Sequence, residues 1–474
     1  MGCSTSIHIE RPVQKRLTIP PLRSSQKLST RKSLMTVRLQ SINEKYQIIR
    51  ALGSDTIGTL FLANEIQSDC LRTLREISKH SLSKAYESLS EFTILSQLDH
   101  PNIIKIFEVY ETIKNFYIVL ENISGGTLLN KFKKVGFEAE IARFAHELFS
   151  ALNYLHGLGF VHSNVCSEHV ILSSTGDDAV VKLTGFLSAR QARAVKEMDW
   201  TRVDFEFCSP ETLRARICEK SDVWSAGVLL FILLTTKSPF PRGDLNETLE
   251  AILKGAVEYS NSGFNSISKP GQSLIRSMFI VDPNQRPSFE ELLKHPWFSE
   301  SKQTLPITYN IAKKLSVFHI KSHITRCFLN YIISKLSSSK KDFTIIKYFK
   351  SLDLNNDGKV SKEEILTTFQ QVGLNVLTEI DFIMKNLDYD SSGFIDYTEL
   401  ILAMTNWSEE LKVKNLVKVF LNTDGFISVK DLFDILSEVS AEDLIKLKKS
   451  CLEEKGLVSV RNLKKFLKTQ VVFI

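Results

Sequence analysis

Two twelve-residue stretches toward the C-terminal end constrain this chain more tightly than anything else in it. Asp353 to Glu364, DLNNDGKVSKEE, sets oxygen donors at Asp353, Asn355 and Asp357, then the Lys359 carbonyl, Ser361 and a closing carboxylate at Glu364. Asp388 to Glu399, DYDSSGFIDYTE, repeats the spacing with Asp388, Asp390, Ser392, the Phe394 carbonyl, Asp396 and Glu399. Calcium takes about six to eight oxygens, and a loop closed by a bidentate Glu at its twelfth position supplies them, with a glycine at the sixth for the sharp turn. Gly358 and Gly393 stand there. The spacing therefore predicts a pair of helix–loop–helix units holding two Ca2+ ions, joined by a short strand pairing of Val360 with Ile395, each eighth in its loop.

Two degenerate copies of the same EF-hand pattern follow. Counting back from Gly425, beside Asp424, puts Phe420 at position one and Asp431 at position twelve, so the chelate is broken at its start and shortened at its end. Around Gly456 the ligand positions hold Cys451, Glu453, Lys455 and Asn462. No useful calcium binding is expected of either, although their helices should still pack. Ahead of all four lies ITYNIAKKLSVFHIKSHITRCFLNYIISKL, with Ile311, Leu315, Phe318, Ile324, Phe328, Ile332 and Leu336 at helical spacing and Lys313, Lys314, Lys321 and Arg326 among them. A basic amphipathic helix of this kind can be the target of a calmodulin-like domain. The same stripe also fits ordinary core.

The longer N-terminal part carries a second pattern, in order along the chain. YQIIRALGSDTIGTLFLANE from Tyr46 alternates as a hairpin does, with Gly53, Asp55 and Gly58 at its turn. LRTLREISK brings Arg75, whose expected partner is Glu91 ahead of LDHPNIIKIFEVYE, and YIVLENISGG places Leu120 before Glu121 and Ile123. Then come VHSNVCSEHV with Asn164 and His169, VVKLTGFLSA with Gly185, Phe186 and Leu187, and Cys208-Ser209-Pro210-Glu211 preceded by Asp204. Asp222 and Arg286 follow in SDVWSAG and DPNQRPSFEELLKHPWF. From Tyr46 to Phe298 this resembles a protein kinase domain, and the whole chain is similar to the calcium-dependent protein kinases.

That resemblance implies an α+β, bilobal protein-kinase-like fold at 46–298 and a junction or autoregulatory helix at 299–342. An all-α, calmodulin-like EF-hand domain at 343–474 should follow, capturing the junction helix when calcium rises. It implies an ATP site at Gly53, Gly58, Arg75, Glu91, Glu121 and Ile123, with backbone from Glu121 to Ile123 facing the adenine. It also implies Mg2+ held by the residues at 169 and 185, and a catalytic base at 164. The family writes Asp, Asn and Asp at 164, 169 and 185 and Lys at 75. An amide at Asn164 accepts no proton near neutral pH, His169 is a poor ligand for a hard cation, and Gly185 has no carboxylate. Asp55 would also meet the phosphates with like charge, and Arg75 is bulkier than the Lys it replaces. Glu211, Asp222 and Arg286, where the large lobe's ion pair and loop anchor belong, are kept. Two readings result: a calcium-responsive pseudokinase serving as a signalling scaffold, which the missing groups favour, and an atypical but active calcium-regulated Ser/Thr kinase using ATP.

Composition decides what remains. A chain of 474 residues, 43% hydrophobic and 24% charged, suits two to four soluble domains. The longest apolar run, Val223 to Leu234, is too short to span a bilayer and reads as a buried helix. Without a secretory pattern, seven scattered cysteines suit a reducing cytosol and are no disulfide framework. The net charge of +6 is modest, and nothing points to nucleic acid. Residues 1–45 form a basic segment that opens MGCSTS, placing Gly2 for myristoylation and Cys3 for palmitoylation, and then runs through Arg11, Lys15, Arg16, Arg23, Lys27, Arg31, Lys32 and Arg38. A cytoplasmic protein held peripherally on a membrane by this lipid anchor is the expectation.

Overall fold

The computed structural model describes residues 37–38, 41–54, 58–66, 68–79, 91–132, 137–191, 204–241, 243–260, 262–299, 305–336, 339–420, 426–428 and 457–472. Gly2, Cys3, the basic residues from Arg11 to Lys32, Asp55, and the degenerate-loop positions Asp424, Gly425, Asp431, Cys451, Glu453, Lys455 and Gly456 lie outside them.

The alternating segments near the N-terminus form one sheet. Its strands are β1 (Val37–Arg38), β2 (Tyr46–Ser54), β3 (Thr59–Glu65), β4 (Cys70–Ser78), β5 (Ile106–Glu111) and β6 (Asn115–Glu121), in spatial order β1-β5-β6-β4-β3-β2. β2 and β3 make the hairpin that the alternation predicts, and only β1 pairs in parallel, Val37 opposite Val109. Placing β4 between β3 and β6 sets Arg75 opposite Leu60 on one side and Ile118 on the other, at the centre of the sheet.

A helical lobe follows, built around the helix Glu219–Thr235. VWSAGVLLFILL is apolar all round because the helix is buried all round: Val223 to Leu234 are under cover apart from Ser225, and Thr236 ends the helix in the left-handed conformation at φ 61°. Among the described residues no helix is long and apolar enough to cross a membrane. The helix Glu138–Gly157 packs alongside, and one contiguous core runs from Ile77 in the sheet through Phe186 to Phe298.

The predicted single junction helix is two helices, Tyr309–Val317 and His323–Leu336. Phe318 leaves helical geometry at φ −66°, ψ 128°, and His319–Ile320 then pair with Val471–Val472. The break lets both halves bury the one stripe: Leu315, Phe318, Ile324, Phe328 and Ile332 share a single core with Ile365, Phe369, Leu400, Trp407, Leu463 and Leu467 of the EF-hand region. Val360 pairs with Ile395 as the loop spacing predicts, and Phe426–Ser428 pair with Leu457–Ser459 between the degenerate units. Phe420, at a broken ligand position, packs edge-on to Phe328 at 5.8 Å and stacks on Tyr331 at 5.7 Å. Aromatic packing has taken the place of a chelating oxygen there.

The first EF-hand pair rests directly on the kinase-like part. The Thr398 N–H donates to Asp99 Oδ2 at 2.8 Å, Asn153 Nδ2 to the Asn356 carbonyl at 3.1 Å, and Lys350 Nζ to Glu147 Oε1 at 2.8 Å. Gly358 needs to be glycine twice over, since its φ is +79° and a Cβ there would come within 2.7 Å of both His100 and Tyr154.

Candidate functional site

The cleft between sheet and helical lobe retains its frame. Arg75 Nη1 reaches Glu91 Oε2 at 2.8 Å with both side chains buried, so the bulkier cation preserves the predicted ion pair. Gly58 passes so close to β4 that a Cβ would lie 1.9 Å from the Glu76 carbonyl oxygen, and Gly53 holds φ +148°. Leu120 is buried and Ile123 packs half-buried against the main core. Glu121, expected to contribute backbone, spends its N–H on the Lys105 carbonyl at 2.9 Å. Its carboxylate accepts from the Lys105 N–H at 2.6 Å and pairs with Lys182 Nζ at 3.0 Å, tying the hinge to the strand that precedes Gly185.

The loop from Val161 to Val170 is anchored where the sequence places its scaffold. Asp222 accepts from the backbone N–H groups of His162 and Ser163 at 2.8 and 2.9 Å, and lies 2.9 Å from His156 Nε2. His162 is fully enclosed; burial, the largest influence, pushes its pKa down to about 4 and keeps the ring neutral. Its Nε2 donates to the Thr184 carbonyl at 2.8 Å, and Phe186 packs edge-on at 4.9 Å. Glu211 and Arg286 form the expected pair at 2.7 Å, and Arg286 also donates to the carbonyls of Lys220, Ile280 and Val281. Asp204 caps the short helix Phe205–Phe207 by accepting from the Glu206 N–H.

What the frame surrounds is different chemistry. His169 Nδ1 donates to the Asn164 carbonyl at 2.8 Å and lies 3.4 Å from Cys166 Sγ. Burial opposes protonation of His169, but Cys166, the Asn164 carbonyl and Glu168 outweigh it and raise the pKa above its ordinary value. Gly185 adopts φ +80°, and a Cβ at that position would lie 2.4 Å from Cγ and Cδ2 of the His169 ring. The imidazole fills the space into which a side chain at 185 would extend. These residues do not fit a magnesium ion, which asks for oxygen in near-octahedral array.

The two loops fit calcium. Gly358 and Gly393 take φ +79° and +90°, and the fourth residues Asn356 and Ser391 are also left-handed at 58° and 56°. Glu364 turns back over its loop, Oε1 accepting from the Leu354 and Asn355 N–H groups at 2.8 and 3.0 Å. Glu399 does likewise from Tyr389 at 2.7 Å. Asp388, Asp390 and Glu399 bring oxygens within 4.8 Å of one another. Burial first, and then like charge from their neighbours, holds Asp353, Asp396 and Glu399 well above the usual carboxylate range, a crowding that a divalent cation relieves. In the first loop Asp353 accepts from the N–H groups of Asp357 and Gly358, and Asp357 from that of Lys359. Ser361 and Asp396, at the ninth positions, cap the exiting helices with reciprocal bonds to Glu364 and Glu399. Nothing in the sequence signals three of these arrangements: the His169–Gly185 fit, the Glu121–Lys182 tie and the seat of the loops on Asp99 and Tyr154. Each joins segments distant in the chain.

Comparison with known proteins agrees with the geometry. The protein kinase domain profile matches residues 46–298, just over half of the chain, and an EF-hand domain pair matches 342–405. Calcium-dependent protein kinase 5 of Plasmodium falciparum (isolate 3D7) is 28% identical over 448 residues, covering 92% of this chain and 78% of its own. Calcium-dependent protein kinase 3 of Plasmodium berghei (strain Anka) is 28% identical over 428 residues, covering 85% and 75%. Among solved structures, a twitchin kinase fragment from C. elegans, described as an autoregulated protein kinase with immunoglobulin domains, superposes with TM-score 0.53 at 23% identity. That match covers 57% of this chain and 61% of the fragment, and shows the shared kinase fold. With its kinase domain followed on one chain by a Ca2+-binding EF-hand pair, the protein belongs to the protein kinase family, among the calcium-dependent protein kinases.

Proposed function

We propose that this chain is a pseudokinase whose EF-hand pair, taking one calcium ion in each of the loops 353–364 and 388–399, makes it a calcium-responsive scaffold at a membrane. The observation that carries the reading is the His169 ring in the space of a side chain at 185. With Asn164 beside it, the described residues at 164, 169 and 185 supply neither a carboxylate for the substrate proton nor an oxygen set for magnesium, and these roles act as a unit in phosphoryl transfer. Calcium remains useful to such a protein because its ligands are separate residues, and the first loop rests on the kinase-like part at His100 and Tyr154. Occupancy of the loops then changes which surfaces signalling partners reach. Membrane association rests on Gly2, Cys3 and the basic residues after them.

One observation favours the second reading, an atypical active kinase: the frame an active site uses is kept, with the Arg75–Glu91 pair formed at 2.8 Å and Phe186 packed edge-on to His162. Purified full-length protein in saturating calcium, given magnesium-ATP and basic peptide or protein substrates, separates the two. Transfer indistinguishable from a protein-free control supports the pseudokinase. Calcium-stimulated transfer that disappears on Arg75→Met establishes the kinase instead. A calcium-dependent change in protease sensitivity, lost in Glu364→Gln with Glu399→Gln, is expected in either case.

A further inference from the structure

The second calcium loop contains one more carboxylate at its ligand positions than the first, four (Asp388, Asp390, Asp396 and Glu399) against three (Asp353, Asp357 and Glu364). The structure places a cation against that loop from outside the EF-hand units. Arg326, in the first turn of the helix His323–Leu336, is 4% exposed, and its guanidinium carbon lies 3.4 Å from the ring centroid of Tyr389, second residue of the loop. From the start of the same turn His323 leans on the same ring at 5.3 Å. The Nε of Arg326 is buried with no hydrogen-bond partner among the described residues. An arginine in that condition is costly unless charge compensates it. Burial is the largest influence and lowers the guanidinium's pKa, and Glu399, then Asp396, Cys327 and Asp390, offset it in part.

We propose that Arg326 is the built-in counter-cation of the second calcium loop, setting its calcium affinity and competing with the bound ion for the field of Glu399, Asp396 and Asp390. Without metal, the guanidinium offsets the one extra carboxylate that this loop has at its ligand positions and holds the His323–Leu336 helix on Tyr389. When calcium enters, a divalent and a monovalent cation share one set of carboxylates in a poorly screened site, and each weakens the hold of the other. Linkage makes the effect reciprocal: whatever Arg326 costs calcium, calcium costs the seat of the helix. Calcium in this loop therefore acts on the junction through a named side chain, and a neutral residue at 326 uncouples the two.

The inference rests on the second loop taking calcium, and the test separates the two claims. Full-length protein carrying Glu364→Gln, to silence the first loop, is titrated with calcium by calorimetry with and without Arg326→Met, and again with Arg326→Gln in case the first variant does not fold. Arg326→Lys serves as the charge-retaining control. The neutral variants are expected to bind calcium roughly five- to fiftyfold more tightly, within the range of coupling between linked sites, and the Lys variant to stay near the parent. Hydrogen exchange of residues 323–336 should rise with calcium in the parent and hardly change in the neutral variants. Tighter binding only in the neutral variants, or uptake by them where the parent takes none, supports the proposal. Equal or weaker binding by a folded neutral variant overturns it while leaving the two-site reading in place, because it makes Arg326 a packing residue or an organiser of the chelate. Uptake by none of these proteins overturns both.

Discussion

Replacing Gly185 by Asp tests whether the cleft has closed around its lost metal ligands. The substitution puts a side chain at φ +80°, which costs about 1–2 kcal/mol away from glycine. Its Cβ also lands 2.4 Å from ring atoms of His169, including Cγ, which cannot swing aside without breaking the 2.8 Å bond from Nδ1 to the Asn164 carbonyl. Overpacking of this kind costs about 1–3 kcal/mol, so the single variant should lose about 2–5 kcal/mol. His169→Asn alone gives up one hydrogen bond, about 0.5–1.5 kcal/mol. In the double variant the overlap is gone and only the backbone strain remains, so the two changes should be non-additive by about 1–3 kcal/mol in the favourable direction. Urea unfolding of the full chain in chelator, in a Trp407→Phe background, reads this directly, because Trp224 and Trp297 lie in the kinase-like core while Trp407 lies in the EF-hand core and would add its own signal. Additivity within about 0.5 kcal/mol, or a Gly185→Asp protein as stable as the parent, would refute the steric argument and reopen the cleft to a side chain at 185.

The large-lobe anchor should be just as sensitive. Arg286→Met strands Glu211 without its bidentate partner and should cost about 3–5 kcal/mol, part of which Glu211→Gln in the same protein should return, as measured by chemical denaturation. Burial alone would raise the pKa of Glu211, yet Arg286 outweighs it and holds the carboxyl below its ordinary value. The stability from this pair is therefore present above the unfolded carboxylate pKa and lost as pH falls through the folded one; the Met variant should lack that acid-side decline. The calcium loops have the opposite sign. Asp353, Asp396 and Glu399 are raised, chiefly by burial, so the metal-free form gains stability as pH falls through their folded values while calcium affinity declines over the same window. Calorimetry in buffers of different ionisation enthalpy should show protons released on calcium binding, and an affinity flat from neutrality to mild acid would contradict this. Gly2→Ala should move the protein from the membrane to the soluble fraction in high salt, and its retention there would exclude acylation as the anchor.

The loops 353–364 and 388–399 were legible as an EF-hand pair because a chelating loop is a local object: donor type, spacing and the left-handed turn at the sixth residue are all set within twelve positions. The kinase-like frame was legible for a related reason, since Arg75, Glu91, Asp222, Glu211 and Arg286 stand at recognisable places in recognisable segments, where Arg75 meets Glu91 at 2.8 Å, Arg286 meets Glu211 at 2.7 Å and Asp222 takes the His162 N–H at 2.8 Å. Helical periodicity found the apolar stripe from Ile311 to Ile332 but not the break at Phe318. Periodicity records which residues are buried, and two short helices bury the same set as one long helix when the C-terminal Val471–Val472 strand pairs with the break between them. Arg326 looked like any other base on that stripe, and only packing against Tyr389 distinguishes it from Lys313 or Lys321. Composition allowed Glu121 any polar role, and the sheet gave it Lys105 and Lys182. Sequence alone showed that carboxylates had left positions 164 and 185. Only the tertiary structure decided that the loss at 185 is filled, because the ring of His169, sixteen residues earlier in the chain, occupies volume that no sequence pattern can assign.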